Sequence, residues 1–160
     1  MKLTGKYIVY ALIALAIAAF YYWRYRTIPS MKFSEISLTD ESGMTVTLDQ
    51  VLKDSTVVHF YASWCGPCLK ELRELNQQFS QYEQGGIDFI LITDDIPESI
   101  KVMSERMPEQ IRFYRTESLQ ELGIYSIPAS YFVTHGEIAS KHVKPIDWQN
   151  RNEVIKQFIR

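Results

Sequence analysis

The 160-residue sequence contains only two cysteines, and this scarcity excludes two common roles for cysteine. Two cysteines are too few for the disulfide framework that holds many small secreted domains together. They are also too few for a zinc site with four cysteine ligands, and none of the three histidines, His59, His135 and His142, has the paired spacing of a zinc finger. We therefore expect no bound metal.

The sequence also lacks an excess of positive charge. It has 17 Lys and Arg against 19 Asp and Glu, a formal net charge of −2, so we expect no nucleic-acid partner. Internal repeats and low-complexity segments are absent as well. The composition, 46% hydrophobic and 22% charged, suits a packed globular domain, and the length allows one domain with an appendage.

The two cysteines lie close together, in the motif Trp64-Cys65-Gly66-Pro67-Cys68. An apolar run that predicts a buried strand precedes the motif, and a helical pattern follows it. A C-x-x-C motif between a strand and a helix is typical of a reversible dithiol/disulfide site. The alternatives are an incidental pair of core cysteines and a static cross-link.

The position of the motif predicts a mechanism. Cys65 falls at the start of the predicted helix, where backbone N–H groups and the helix dipole stabilise a thiolate, and Pro67 suits the first helical turn. Cys65 would attack a substrate disulfide, and the more buried Cys68 would then attack Cys65 and release the reduced substrate. The reverse sequence oxidises a dithiol. The Cys65–Cys68 disulfide is the redox group, and we expect no other cofactor.

The N-terminal region predicts a membrane anchor. Residues 7–23 carry no charge, span about 25 Å as a helix, and have aromatic side chains near both ends. We expect an uncleaved single-pass transmembrane helix there, after a tail over residues 1–6 and before a linker over residues 24–33. A cleaved signal peptide and a core helix are the alternatives. Positive charges flank both ends of the segment, so they do not decide its orientation.

Residues 34–160 read as one α/β domain with a mixed central sheet and helices on its faces. Alternating polar and apolar residues predict an N-terminal β-hairpin over 35–39 and 44–48. In the helix after the motif, the apolar positions predict the buried face, and Glu71 falls among the polar residues of the other face. The remaining predicted strands are 56–61, 87–93, 111–114, 129–134 and 137–143, and the remaining predicted helices are a turn at 48–52, a segment ending near 107, a short helix over 117–122, and a last helix capped by Asp147.

The segment F-Y-A-S-W-C-G-P-C resembles the thioredoxin active site, and the region from Phe33 to Arg160 resembles the TlpA/ResA branch of that superfamily. Members of this branch are membrane-anchored thiol–disulfide oxidoreductases of bacterial cell envelopes. The hairpin and the long stretch between Thr93 and Pro128, with an added helix and strand, favour this branch over thioredoxin itself. The P-x-x-x-T-x-x-C motif of peroxiredoxins is absent. The resemblance implies a thioredoxin-like fold with an N-terminal hairpin and a central α/β insertion.

The resemblance also implies roles for individual residues. Cys65 matches the nucleophile and Cys68 the resolving cysteine, and Trp64 flanks the active site. Pro128 matches the family's cis-proline, which faces the dithiol. Ile127, in front of it, belongs to the backbone edge that pairs with substrate.

Two positions depart from the family pattern. His59 stands where thioredoxin has a buried Asp that serves as a proton relay. It is either a hydrogen-bonded core histidine or the general base that deprotonates Cys68. Lys144 stands where the family has Gly beside the dithiol. It either narrows the substrate groove and favours acidic partners, or is an ordinary exposed lysine.

We expect a monomer. The resemblance implies a location at the bacterial inner (cytoplasmic) membrane, with the catalytic domain facing the periplasm or outer surface. Its partners would be disulfide- or dithiol-containing envelope proteins, as in cytochrome c or metalloprotein maturation, and a membrane thiol electron donor. The Gly66-Pro67 dipeptide favours a reducing role. A disulfide-introducing oxidase on the same scaffold and a non-catalytic thiol-dependent chaperone or assembly subunit are the alternatives.

Overall fold

The computed structural model describes residues 5–26 and 32–159. The chain divides into two compact units, Met1–Lys32 and Phe33–Arg160. Part of the predicted N-terminal tail, residues 1–4, and part of the predicted linker, residues 27–31, lie outside the described residues.

The first unit contains one helix, α1, over Gly5–Arg26. Its apolar positions are exposed, among them Leu12, Leu15 and Phe20. No helix within residues 5–26 and 32–159 combines the length and the apolarity needed to cross a membrane. The helix expected over residues 7–23 is present within α1, but the prediction that it spans a membrane is not supported.

The second unit is built on a mixed sheet, as the sequence predicts. Within residues 32–159, seven strands are arranged in the order β2-β1-β5-β4-β3-β6-β7. Neighbouring strands run parallel where β4 meets β3 and β5, and antiparallel elsewhere. The predicted N-terminal hairpin is confirmed as the β1–β2 pair. The strands are β1 Ser37–Asp40, β2 Thr45–Thr47, β3 Ser55–Phe60, β4 Asp88–Thr93, β5 Arg112–Arg115, β6 Ala129–Thr134 and β7 Glu137–His142.

The helices of this unit are α2 Leu48–Val51, α3 Gly66–Glu83, α4 Pro97–Ser104 and α5 Arg151–Lys156. Three expectations were wrong. Residues 117–122 form turns, closed by a hydrogen bond from Gly123 N–H to Gln120 C=O, and not a helix. Helix α4 ends at Ser104, before Met107. Helix α5 is capped by Asn150 and not by Asp147. The Asn150 side chain accepts a hydrogen bond from Glu153 N–H, whereas Asp147 accepts one from Gln149 N–H.

The largest part of the core lies between the sheet and α3. Leu72, Leu75, Phe79 and Tyr82 recur at helical spacing on α3 and are buried. They share one hydrophobic cluster with Val57 of β3, both cysteines and side chains from the neighbouring strands and helices, including Phe89, Leu91, Ile100, Phe113, Phe132, Trp148 and Val154. This packing holds α3 against the central strand β3, so that the C-x-x-C motif sits where that strand ends.

Candidate active site

Cys65 lies at the junction of β3 and α3, as the N-cap residue of the helix. Its sulfur accepts a hydrogen bond from Cys68 N–H, with Sγ and N 3.2 Å apart. Its backbone N–H donates to Ala62 C=O at 3.1 Å, and its own C=O accepts from Leu69 N–H at 3.0 Å. The positive end of the helix dipole and a donated hydrogen bond thus both meet the Cys65 sulfur, and both favour a thiolate there.

The two cysteines form a disulfide bond in this structure. Cys68 is fully buried and Cys65 is 6% exposed, while Trp64 beside them is 76% exposed. Gly66 and Pro67 lie at the surface, and a Cβ added at Gly66 would meet no atom within 4 Å. Cys65 is therefore the sulfur that a substrate reaches first, and the glycine leaves space for its approach.

A carboxylate that the sequence analysis missed holds the loop in front of Cys65. Asp95 Oδ2 accepts a hydrogen bond from Ser63 N–H at 2.5 Å, and Arg115 Nε donates to Asp95 C=O at 3.1 Å. Asp95 follows β4, which runs parallel to β3. Because the carboxyl ends of parallel strands meet at one edge of a sheet, the chain order contained a signal for this contact.

Pro128 enters the same region from the other neighbour of β3. The Ile127–Pro128 peptide bond is cis, as the family resemblance implies. Pro128 is buried and precedes β6, whose first residue Ala129 pairs with Phe60 at the end of β3. Ile127 is partly buried against the core. The structure therefore brings this loop to the end of the strand that carries the motif, and the substrate-binding role of Ile127 and Pro128 stays a prediction.

His59 is fully buried in β3. Its Nδ1 lies 2.8 Å from Ser130 Oγ, and its Nε2 has no hydrogen-bond partner among the described residues. Burial lowers the pKa of the imidazole to about 4. A base with a pKa that low is poorly matched to a thiol. This pKa and the hydrogen bond to Ser130 favour the hydrogen-bonded core histidine over the general base, and the role of His59 stays a prediction.

Glu71 is the buried carboxyl group of this site, and its predicted place on the polar face of the helix is wrong. It is 1% exposed and lies on α3 three residues after Cys68, so the two side chains share a face of the helix. Its Oε1 accepts from Ile146 N–H at 3.1 Å, while Oε2 has no hydrogen-bond partner in the described part of the chain. Burial raises the pKa of Glu71 to about 7, although the hydrogen bond from Ile146 and the nearby Trp148 indole oppose this shift.

A shallow groove of about 420 Å³ adjoins the motif, lined by Gly66, Pro67, Lys70, Glu71, Glu74 and Pro145. Lys144 is exposed and directly precedes Pro145, which lines the groove. Its effect on substrate binding stays a prediction. Among the described residues no group of three or more His, Cys, Asp or Glu side chains could hold a metal ion.

A strand that ends in a C-x-x-C motif, a helix capped by the first cysteine, and a cis-proline loop beside them define a thioredoxin-like thiol–disulfide oxidoreductase. The model of the AhpC/TSA family matches residues 29–135, and the chain belongs to this family.

Three relatives illustrate the similarity. The thiol-disulfide oxidoreductase ResA of Bacillus thuringiensis subsp. konkukian is 20% identical over 128 residues, which cover 77% of this chain and 72% of ResA. The thiol:disulfide interchange protein DsbE of Allochromatium vinosum is 29% identical over 135 residues, 82% of this chain and 74% of DsbE. The thioredoxin domain of a thiol-disulfide oxidoreductase from Bacteroides vulgatus has the same fold, with a TM-score of 0.63 at 19% identity over 84% of this chain and 100% of that domain.

Glu71 and His59, both buried, predict opposite pH dependences of stability. Because the pKa of Glu71 is raised in the folded state, its protonated form contributes to stability. This contribution is complete below about pH 4.5 and is lost as the pH rises through about 7. Relative to wild type, Glu71→Gln should therefore gain about 3 kcal/mol in the free energy of unfolding between about pH 4.5 and 7.5, since one pKa unit corresponds to about 1.4 kcal/mol. Urea unfolding of the oxidised protein at several pH values measures this change.

His59→Asn provides the matched comparison. Because the pKa of His59 is lowered in the folded state, its neutral form contributes to stability. This contribution is complete above about pH 6.5 and is lost as the pH falls through about 4. The variant should therefore lose about 3 kcal/mol relative to wild type as the pH rises over that range. Stability profiles that run parallel to wild type in both variants would show that neither group titrates as its burial implies.

Proposed function

We propose that this oxidoreductase reduces disulfides of cell-envelope proteins through Cys65 and Cys68. The observation that carries the proposal is the position of Cys65, whose sulfur caps α3 and is bonded to the fully buried Cys68. The similarity to ResA and DsbE supports thiol–disulfide exchange, and the Gly66-Pro67 pair between the cysteines supports the reducing direction. Disulfides of apocytochromes c and of copper-site assembly proteins are the candidate substrates.

The reaction has two exchanges. The Cys65 thiolate attacks one sulfur of the substrate disulfide, which releases the first substrate thiolate and leaves a mixed disulfide. The Cys68 thiolate then attacks Cys65 Sγ, which releases the second substrate thiolate and forms the Cys65–Cys68 disulfide. Two electrons pass from the enzyme dithiol to the substrate. A membrane thiol electron donor would return the enzyme to the dithiol form.

Cys68 must lose its proton for the second exchange, and Glu71 is placed to accept it. Both side chains are buried on one face of α3, and Glu71 Oε2 has no hydrogen-bond partner in the described part of the chain. A carboxyl group with a pKa of about 7 takes a proton from a thiol far better near neutral pH than an ordinary glutamate. We therefore assign proton transfer to Glu71 and a core role to His59.

Replacing the resolving cysteine tests the order of attack. Cys68→Ala should keep the first exchange and lose the second, so the variant should accumulate a mixed disulfide through Cys65 with envelope proteins. Mass spectrometry of trapped complexes identifies the substrates, and Cys65→Ala is the matched control that should trap none.

Insulin reduction by the wild-type protein separates the competing functions. A protein with an intact Cys65–Cys68 disulfide that fails to exchange with insulin or any small thiol would contradict the enzymatic proposal and favour a chaperone or assembly subunit. Reduction potentials measured against glutathione distinguish a reductant from a disulfide-introducing oxidase, since the known potentials of C-x-x-C proteins range from about −270 to about −120 mV.

Glu71→Gln tests the proton transfer. The first exchange should be unchanged, because Cys65 depends on the helix terminus, while decay of the mixed disulfide should slow on the order of 100-fold near neutral pH. His59→Asn should leave both rates within about twofold of wild type, as expected for a residue that takes no part in general base catalysis. Stopped-flow measurement of the two phases with a small disulfide distinguishes the variants. Slow decay in His59→Asn with normal decay in Glu71→Gln would reverse the assignment.

We also propose that α1 associates with the inner membrane and that the catalytic domain faces the periplasm or outer surface. The exposed apolar side chains of α1 support this proposal, because a soluble helix normally buries such residues. The positive charges at both ends of the apolar segment suit contact with anionic lipid headgroups.

Charged residues within α1 should abolish this association. Wild-type protein should sediment with the membrane fraction, while the double variant Leu12→Lys, Leu15→Lys should remain in the supernatant, because burying two lysines among lipid chains is unfavourable. The conservative pair Leu12→Ile, Leu15→Ile is the control and should sediment. Wild-type protein in the supernatant would contradict the proposal, and protease added to intact spheroplasts tests which side the domain faces.

A further inference from the structure

A second groove, which the disulfide exchange itself does not use, lies between α3 and α4. Its volume is about 460 Å³. It begins at Ser63 and Leu69, which flank the C-x-x-C motif on both sides in sequence. It is therefore continuous with the site where a substrate must place its disulfide.

The floor of this α3–α4 groove is apolar. Its apolar lining consists of Leu69, Leu72, Val102, Met103 and Met107. Val102 is 48% exposed although it stands on a short helix in the folded domain. Methionine side chains adapt to differently shaped partners, so this floor suits apolar residues from more than one sequence.

Charge is distributed unevenly along the groove. Glu98 lies in the first turn of α4, and Arg73 and Arg106 line the groove farther from the motif. Asn76 Nδ2 donates to Arg106 C=O at 2.9 Å and joins α3 to the turn that follows α4 at that end. Among the described residues neither arginine forms an ion pair with a carboxylate. The far end of the groove is thus a local basic site on a chain whose net charge is −2.

We propose that the α3–α4 groove binds the segment of a protein substrate next to its reacting cysteine, and that this segment is apolar where it enters the groove and acidic at the far end. The inference rests on the proposed function, because the substrate's cysteine is joined to Cys65 in the mixed disulfide. Arg73 lies eight residues along α3 from Cys65, about 12 Å at the helical rise. An extended substrate covers that distance in about four residues, which places its carboxylate there.

Charge complementarity favours an acidic substrate segment at the far end of the groove over a neutral or basic segment. A substrate carboxylate at the far end would meet two arginines that are exposed and unpaired among the described residues, whereas a lysine there would meet like charge. The position of the groove beside the motif favours a substrate over a partner that does not react with Cys65. A substrate joined to Cys65 must lie along one of the surfaces that border the motif.

Peptide disulfides test the proposal with the reduced full-length protein. The probes are homodisulfides of a short peptide with leucine two residues after its cysteine and glutamate four residues after it, and of the same peptide with lysine in place of glutamate. Wild-type protein should reduce the glutamate peptide with a kcat/KM about tenfold higher, as expected for two exposed charge contacts. The double variant Arg73→Glu, Arg106→Glu should prefer the lysine peptide, and Arg73→Gln, Arg106→Gln should show no preference.

Two controls separate binding from chemistry. Lys156→Glu makes a charge reversal on α5, outside the groove, and should keep the wild-type preference. The neutral hydroxyethyl disulfide is too short to fill the groove and should react equally with all variants. Its failure to react with wild type would contradict the proposed function itself. Normal reaction with this small disulfide, combined with equal rates for the two peptides or a preference unchanged in both arginine variants, would overturn the docking inference alone.

Discussion

The start of α3 is the constraint on which the rest of this site depends. Because Cys65 caps the helix, its sulfur accepts Cys68 N–H and lies at the positive end of the helix dipole. The strands on either side of β3 bring Asp95 and Pro128 close to the start of α3. The parallel neighbour β4 places Asp95 beside the Ser63 amide, and Pro128 directly precedes the antiparallel neighbour β6. A shift in the end of β3 would therefore disturb the nucleophile, its loop and the proline together.

Burial shifts the pKa values of Glu71 and His59 in opposite directions. Burial favours the neutral form of both, which means a proton retained on Glu71 and a proton lost from His59. Near neutral pH the histidine is already deprotonated, yet its conjugate acid is too strong for it to draw a proton from a thiol. The carboxyl group changes its protonation in the range where the enzyme would work. Shared burial thus raises the pKa of the carboxyl group toward neutral pH and lowers the pKa of the imidazole away from it, which supports the proposed assignment of proton transfer to Glu71.

Sequence periodicity predicted most of the fold because strands and helices with a buried face repeat at fixed spacings. The hairpin, the strand before the motif and the helix after it follow this rule, and the cysteine spacing predicted the reaction. Glu71 was missed because a charged residue on an amphipathic helix is normally solvated, whereas here the side chain is buried and accepts a hydrogen bond from Ile146 N–H. The spacing of Cys68, Glu71 and Leu75 contained the signal. Residues 117–122 were misjudged because local hydrogen bonds there close single turns.

The two grooves described beside the motif are lined by opposite sides of α3. At 100° per residue, Lys70, Glu71 and Glu74 face away from Leu69, Arg73 and Asn76. The first set lines the groove beside Gly66 and Pro67, and the second lines the α3–α4 groove. Under the proposed docking, substitutions at Arg73 or Asn76 would alter substrate preference, and neither side chain belongs to the buried cluster that contains Cys68. Helix α3 would then allow substrate preference to vary while the surroundings of the dithiol stay constant.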